Sequence, residues 1–464
     1  MSQFADKFIK VFRSFLPAPF TIALVLTVLA FFVAVFSTGS EMAFGERSLW
    51  LLDKWETGLW NPGLLVFAFQ MMLMLVLGHV LALSPAAEKV IALLSTRISS
   101  STSRAAFFVC FATMLVGFFN WGFGLIFGAI LARKVGEQAS RKGIDFNYPL
   151  IGAAGYAALM VWHGGLSGSS LIKVAEEGHL ASLMGGILPE DQLALLPSSV
   201  EPAVTMFSGM NLTASLLLLT IVPATLWFVA KRSKGAKVRI DTGESLMEQD
   251  EEVTGAERLD VMKWPAIFFG AVFLFMAIWK AANHPDLLSF SWINPNWINL
   301  TLFGASLIAH GTIRRFLTAT NAAIGGASGI LIQFPLYFGI MGLITGSGLI
   351  TDFSNLIVAN SSELTYPIFT FISAGIVNVF VPSGGGQWAV QGAIIVQSSM
   401  ELGIPLAKGI MALAYGDQIT NMLQPFWALP LLGITGLKAK DILPYTLLMM
   451  GVGALIFIGV LLIF

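Results

Sequence analysis

Charge is what this sequence lacks most. Only 11% of its 464 residues are Asp, Glu, Lys or Arg, against roughly 25% in soluble domains. That shortage excludes a water-soluble globular enzyme. The single cysteine, Cys110, lies in an apolar run, so neither a disulfide framework nor a cysteine metal site is available. Net charge is −1 and no long basic tract occurs, which argues against nucleic acid as a partner. No lysine or arginine falls in the middle of an apolar run. An anionic solute would therefore be held by backbone amides and helix dipoles, an arrangement that suits one carboxylate better than two or three.

What is present instead is hydrocarbon, 56% of the residues. Apolar runs near the ~20 residues that span a bilayer fall at 17–36, 62–83, 105–132, 148–165 and 208–230. A second set lies at 264–283, 297–313, 324–345, 366–399, 405–437 and 441–464. Two runs are interrupted by turn residues, one at Asn120-Trp121-Gly122-Phe123-Gly124 and one at Pro382-Ser383-Gly384-Gly385-Gly386. Basic residues flank 105–132 on both sides (Arg97, Arg104; Arg133, Lys134), whereas Glu363 and Glu401 flank 366–399. Positive-inside counting makes both runs re-entrant hairpins, the first from the cytoplasm and the second from outside. All 26 Lys and Arg but Arg47, Lys54, Lys173, Lys280 and Lys408 then lie on the cytoplasmic side.

The expected fold is an all-α polytopic membrane protein, with about nine spanning helices plus two re-entrant hairpins. Gln70, Asn120 and Pro149 in one half echo Gln333, Asn378 and Pro405 in the other. Each triplet reads as a span, a hairpin with Asn at its break, and a helix opened by Pro. That is the inverted-repeat plan with broken helices used by secondary transporters. The divisions are an amphipathic interfacial helix at 1–16, a first repeat at 17–230 and a cytoplasmic linker at 231–263. An extra span at 264–296 and a second repeat at 297–464 complete the chain. The N-terminus is placed in the cytoplasm.

Irregular backbone at membrane depth is tolerated only where it is buried in protein or lines a cavity. The two tips therefore point to a binding site made by Asn120, Trp121, Gly122 and Gly124 with Asn378, Ser383, Gly384, Gly385, Gly386 and Gln387. Trp121, Phe123, Phe380 and Trp388 beside them offer an apolar wall for a short alkyl tail. The alternative for the glycines is plain close packing of helices. Asp417 is the one acidic residue inside a spanning run, a position that marks ion coupling. Hydroxyl and amide oxygens of Ser167, Ser169, Asn120, Asn378, Thr420 and Asn421 are the hard ligands that Na+ would take, so Na+ or H+ is the coupling ion. No other cofactor is expected. Gln70 and Gln333 read as partners of unwound backbone. His79, His163 and His310 show no metal-ligand spacing and read as hydrogen-bonded residues near span ends. Gly165-Leu166-Ser167-Gly168 fits an intramembrane serine-protease pattern, but Gly326-Ala327-Ser328-Gly329 fits it equally. Without a paired histidine that pattern carries little.

Many of these residues together resemble the bacterial short-chain fatty acid transporters, a family within the ion-transporter superfamily. The likeness runs through Gly58-Leu59-Trp60-Asn61, Gly78-His79, Asn120-Trp121-Gly122-Phe123-Gly124, Ser167-Gly168-Ser169 and Phe207-Ser208-Gly209. It continues in Gln333-Phe334-Pro335, Val381-Pro382-Ser383-Gly384-Gly385-Gly386, Ala414-Tyr415-Gly416-Asp417-Gln418 and Asn421-Met422, then in Gln424-Pro425-Phe426-Trp427-Ala428-Leu429-Pro430. The resemblance implies a carrier, not an enzyme, that takes up short-chain carboxylates such as butyrate or acetoacetate across a bacterial inner membrane. It also implies a homo-oligomer, a dimer in particular, that moves a transport domain as an elevator. Two positions depart from the family pattern: Gln387, where histidine also occurs, and Asp417, where the acid is also glutamate.

Overall fold

The computed structural model describes residues 19–37, 42–233, 235–237, 255–290, 292–424 and 427–464. The interfacial helix expected at 1–16 and the middle of the linker, 238–254, lie outside the described residues. Nearly everything described is helical, as the apolar composition demands of a chain that must satisfy its backbone without water.

Helices start where the sequence supplies a cap. After α1 (Pro19–Ser37) and α2 (Phe44–Leu59), Asn61 opens α3 (Pro62–Ala82) by accepting from Leu64 N at 3.1 Å. Ser84 likewise opens α4 (Pro85–Ile98). In both, proline occupies the first turn, where its missing N–H costs nothing. α5 (Thr102–Phe119) and α6 (Trp121–Arg141) follow. The two-residue strand β1 (Asp145–Phe146) then leads into α7 (Tyr148–Gly155), which tightens into a 3-10 turn at Ala157–Met160. An irregular stretch, 161–168, separates this from α8 (Ser169–Val174). Short helices α9 (His179–Met184) and α10 (Glu190–Leu193) precede α11 (Gly209–Arg232), and β2 (Ala236–Lys237) pairs antiparallel with β1.

The second half starts with α12 (Arg258–Val261), α13 (Lys263–Ala282), α14 (Pro295–His310), α15 (Ile313–Ala323) and α16 (Ser328–Gly346). It continues through α17 (Leu349–Ala359), α18 (Tyr366–Phe380) and α19 (Gly384–Glu401). α20 (Leu406–Thr420) ends in a 3-10 turn at Asn421–Leu423, and α21 (Leu429–Thr435) and α22 (Ala439–Ile463) close the chain. Among the described residues, seven helical stretches are long and apolar enough to cross a membrane: 20–37, 62–82, 102–119, 209–232, 263–282, 313–346 and 439–463. Outward-facing Phe268, Phe275, Ile278 and Trp279 on α13 are the surface that lipid would cover.

Both interrupted runs turn back on themselves. A Cβ on Gly124 would lie 2.7 Å from Gly117 Cα, and one on Gly128 would lie 2.6 Å from Thr113 Cγ2. The bond from Lys142 Nζ to Ser99 Oγ at 2.9 Å closes the far end. Thus α5 and α6 are antiparallel about Asn120. In the second half Gln387 Nε2 donates to Ala374 O at 2.8 Å, Gln391 Nε2 to Ser373 Oγ at 3.2 Å and Tyr366 OH to Ile395 O at 3.0 Å. These bonds fold α19 back on α18 about residues 381–383. One landmark is misplaced by the sequence reading: Asn378 sits in the last turn of α18, not at the break. The succession of long helix, shorter helix, hairpin, interrupted helix and long helix occurs from α3 to α11 and again from α16 to α22. Its members α4 and α17 stand where the apolar runs left only connectors.

Small residues set the closest approaches. A Cβ on Gly58 would be 2.6 Å from Phe338 O and one on Gly342 would be 2.4 Å from Lys54 O, so α2 and α16 touch backbone to backbone. Gly270 and Gly304 do the same for α13 and α14. Such contacts are how membrane helices associate where burial in lipid offers no hydrophobic gain.

Candidate functional site

The tips are built by their caps. Asn120 is extended (φ −155, ψ 128) and its Oδ1 accepts from Phe123 N at 2.8 Å, while Trp121 N donates to Ser167 Oγ at 3.0 Å. Gly78 on α3 admits this tip, since a Cβ there would lie 2.1 Å from Asn120 Oδ1. At the second tip Ser383 (φ −159, ψ 117) accepts from Gly386 N at 3.3 Å through its side chain and from Gln387 N at 2.7 Å through its carbonyl. The amides of Gly384 and Gly385 precede the first intrahelical acceptor and stay available. Capping therefore consumes part of the anion-binding capacity expected of bare amides.

Between the tips lies a small cleft. Trp121 comes from the first tip, Ser383 and Gly384 from the second, Ser169 from α8 and Asn421 from the end of α20. Apolar wall is supplied by Met71, Leu159, Ile330, Phe334, Trp162 and Trp427. Trp121 meets Trp427 edge-on at 5.5 Å and Trp162 at 5.9 Å between ring centroids. The indole Nε1 groups of Trp121 and Trp162 are buried and have no hydrogen-bond partner, as does the nearby Asn120 Nδ2. Buried donors are ordinarily satisfied. These unfilled donors ask for an acceptor, such as a carboxylate oxygen.

Behind the cleft Asp417, the acid singled out in the sequence, meets His163, a partner that the sequence reading missed. Trp162 stacks on His163 with centroids 4.4 Å apart. His163 is fully buried, not interfacial, and its Nδ1 lies 2.5 Å from Asp417 Oδ2. Ser170 N–H can only donate, and it points at His163 Nε2 from 3.1 Å. The ring proton is therefore on Nδ1, aimed at Asp417. Ser170 Oγ, 2.8 Å from Nε2, completes a Ser–His–Asp order, but Ser170 is fully buried and outside the cleft lining. Ser167, the serine of the protease-like pattern, holds the first tip instead.

Each break is satisfied by the other half. Gln418 Oε1 accepts from His163 N at 2.9 Å and from Gly164 N at 3.3 Å. Tyr156 OH reaches Asn421 O at 3.0 Å and Gln424 O at 3.3 Å. Asn378 Nδ2 donates to Asp417 O, Thr420 Oγ1 and Asn421 Oδ1 at 2.6, 2.8 and 3.0 Å. Asn378 thus ties α18 to α20 and does not line the cleft.

Of the expected site residues, Trp121, Ser169, Ser383, Gly384 and Asn421 line the cleft. Asn120, Ser167, Asn378, Asp417 and Thr420 stand directly behind it and position its walls. The remaining glycines serve close packing: Gly122 against Leu75, Gly124 against Gly117 and Ala158, Gly385 against Phe67 and Phe334, and Gly386 against Tyr337. Gln387 links the two arms of its hairpin. Trp388 leaves the expected apolar wall to donate from Nε1 to His179 Nε2 at 2.9 Å, and Phe123 packs on Phe127. The side chain of Phe380 lies outside the described residues. Gln70 is buried, but its side chain reaches Glu176 and Asn296, not unwound backbone. Among the described residues no group of three or more His, Cys, Asp or Glu could hold a metal ion.

Paired hairpins, interrupted helices and a mainly apolar cleft between them are the plan of a multi-pass membrane transport protein. The structure matches that of Neisseria gonorrhoeae MtrF, described with a class of antimetabolite efflux pumps, with a TM-score of 0.59 and 13% identity, covering 97% of this chain and 95% of that one. It also matches the Alcanivorax borkumensis YdaH transporter with a TM-score of 0.54 and 18% identity, covering 95% and 98%. The family model for short chain fatty acid transporters matches residues 1–464. The Escherichia coli (strain K12) protein named "Putative short-chain fatty acid transporter" is 33% identical over 476 residues, spanning 99% of this chain and 97% of that protein. A Haemophilus influenzae protein of the same name is 33% identical over 456 residues, spanning 96% and 95%. The chain belongs to the short-chain fatty acid transporter family.

Proposed function

We propose that this protein is a secondary carrier of small monocarboxylates such as butyrate or acetoacetate, driven by a coupled cation and working by alternating access. The observation that carries this reading is the pair of buried, unpartnered indole N–H groups on two tryptophans, Trp121 and Trp162, that line the cleft between the tips. They supply directional donors for one carboxylate, and Gly384 at the N-terminus of α19 adds the positive end of that helix's dipole. Met71, Ile330 and Phe334 offer the alkyl tail an apolar wall.

Asp417 is the coupling group in this reading. Its Oδ1 is buried without a partner, next to the His163 contact, so either a proton or Na+ would engage it from that side. The inverted repeat is supported by the recurring helix succession, and the cytoplasmic N-terminus in the bacterial inner membrane by the distribution of basic residues. Pairing of β1 with β2 agrees, because it places the loop after the first hairpin beside the linker. A dimer and an elevator motion of the hairpin-bearing body follow from the family resemblance.

Uptake of labelled butyrate into proteoliposomes, with Na+ and pH gradients imposed separately, tests the proposal. Accumulation driven by one gradient and competed by acetoacetate more strongly than by succinate is expected. Equal competition by succinate would replace the substrate class with a broader organic anion.

A further inference from the structure

Lys173 is the only buried lysine or arginine among the described residues. It stands one turn beyond Ser169 on α8, and residues four apart share a helix face. Ser169 lines the cleft. The Lys173 ammonium lies 5.3 Å from the centre of the Phe67 ring. That ring is 6.3 Å from the ring of Phe334, a cleft wall, and both rings cover Gly385 of the second tip. The ammonium is ion-paired with Glu176. Glu176 is shared, because its Oε1 also accepts from Gln70 Nε2 at 3.3 Å. Gln70 in turn donates to exposed Asn296 at 3.0 Å. A polar chain thus runs from an exposed surface to the back of the tip.

A carboxylate entering a low-dielectric cleft loses its hydration and needs a counter-charge. Indole and amide donors orient the anion but do not neutralise it. We propose that Lys173, which stands behind the cleft wall and not in its lining, is that counter-charge and that Glu176 mutes it: the ammonium acts on the anion through the Phe67 and Phe334 rings, and the ion pair loosens as the anion settles while Glu176 stays hydrogen-bonded to Gln70. This rests on the monocarboxylate reading above. It makes Lys173 a specificity residue for the anion over the neutral acid.

Equilibrium binding of labelled butyrate to the purified full-length protein tests it. Lys173→Gln should raise Kd about tenfold, as expected for loss of a nearby counter-charge in a low-dielectric site, while Lys173→Arg retains most of the affinity. Glu176→Gln should lower Kd, since the ammonium no longer has a resident carboxylate to give up. Opposite signs are the decisive result. A merely structural ion pair predicts that both single variants lose stability and affinity alike and that the double variant recovers them; that outcome, or an unchanged Kd in Lys173→Gln, overturns the inference. A wild type that binds no butyrate refutes the substrate reading itself and takes this inference with it.

Discussion

Replacing the indole nitrogen of Trp121 or Trp162 by sulfur, using β-(3-benzothienyl)alanine in place of tryptophan, isolates the donors from the rings that carry them. The substitution keeps the edge-on contact of residue 121 with Trp427 and the stacking of residue 162 on His163, so the cleft retains its shape. Each N–H lacks a protein partner, and a buried unsatisfied donor costs about 1–3 kcal/mol. Removing it therefore leaves the thermal midpoint unchanged or raises it. Affinity should move the other way. A donor bonded to a carboxylate contributes about 1.5–3 kcal/mol, which raises Kd roughly tenfold to a hundredfold. If both indoles hold one carboxylate, the doubly substituted protein loses less than the sum of the two effects, because the pair acts as a unit. Butyrate binding measured alongside thermal unfolding reads both signs in one preparation. A substituted protein that melts early yet binds butyrate normally would show that the donors face structure, not solute, and the site assignment would fall.

Asp417→Asn should abolish gradient-driven accumulation in proteoliposomes while butyrate exchange continues; unaltered accumulation removes Asp417 from coupling. Gly78→Ala forces a Cβ to 2.1 Å from Asn120 Oδ1 and 2.9 Å from Phe123 N. An overpacking cost of about 1–3 kcal/mol should lower the thermal midpoint and weaken binding together, and a stable variant with normal affinity would contradict the tip geometry. His179, in the polar stretch after the first break, is held neutral by burial first and by the Lys173 charge second, which lower it from 6.5 to about 3. Its folded pKa is depressed, so its contribution to stability is whole above pH 6.5 and is lost as pH falls toward 3. His179→Gln should accordingly flatten the acid side of the stability curve, and an identical acid limb in the variant would refute the linkage.

The breaks were legible because their causes are local. Asn, Ser and Pro before an apolar run are caps, and a Pro-Ser-Gly-Gly-Gly interruption cannot continue a helix, so both hairpins and both interrupted helices stand close to where composition placed them. The identity of the donors was not local. Trp162 reads as one more membrane tryptophan until the fold turns it toward Trp121. His163 and Asp417 meet across 254 positions of sequence. One signal was there to be used: His163 lies 14 positions after Pro149 and Asp417 lies 12 after Pro405, so superposing the halves brings the two within a turn of each other's counterpart. The tip glycines illustrate the opposite limit. Pattern alone offers anion binding or close packing, and the structure divides them, with Gly384 at the cleft and Gly385 and Gly386 pressed against aromatic rings. Lys173 escaped notice because it lies outside every apolar run and is buried only by tertiary contacts.

The exchange of hydrogen bonds between the two interruptions bears on biogenesis. Tyr156 and the His163–Gly164 amides find their acceptors only on residues 418–424, which leave the ribosome more than half the protein's length later. Until then the first interruption would be a defect in the bilayer, with water or a chaperone standing in for the missing partner. The first interruption is thus late-locking: its bonds to residues 418–424 can form only after the C-terminal half has been made.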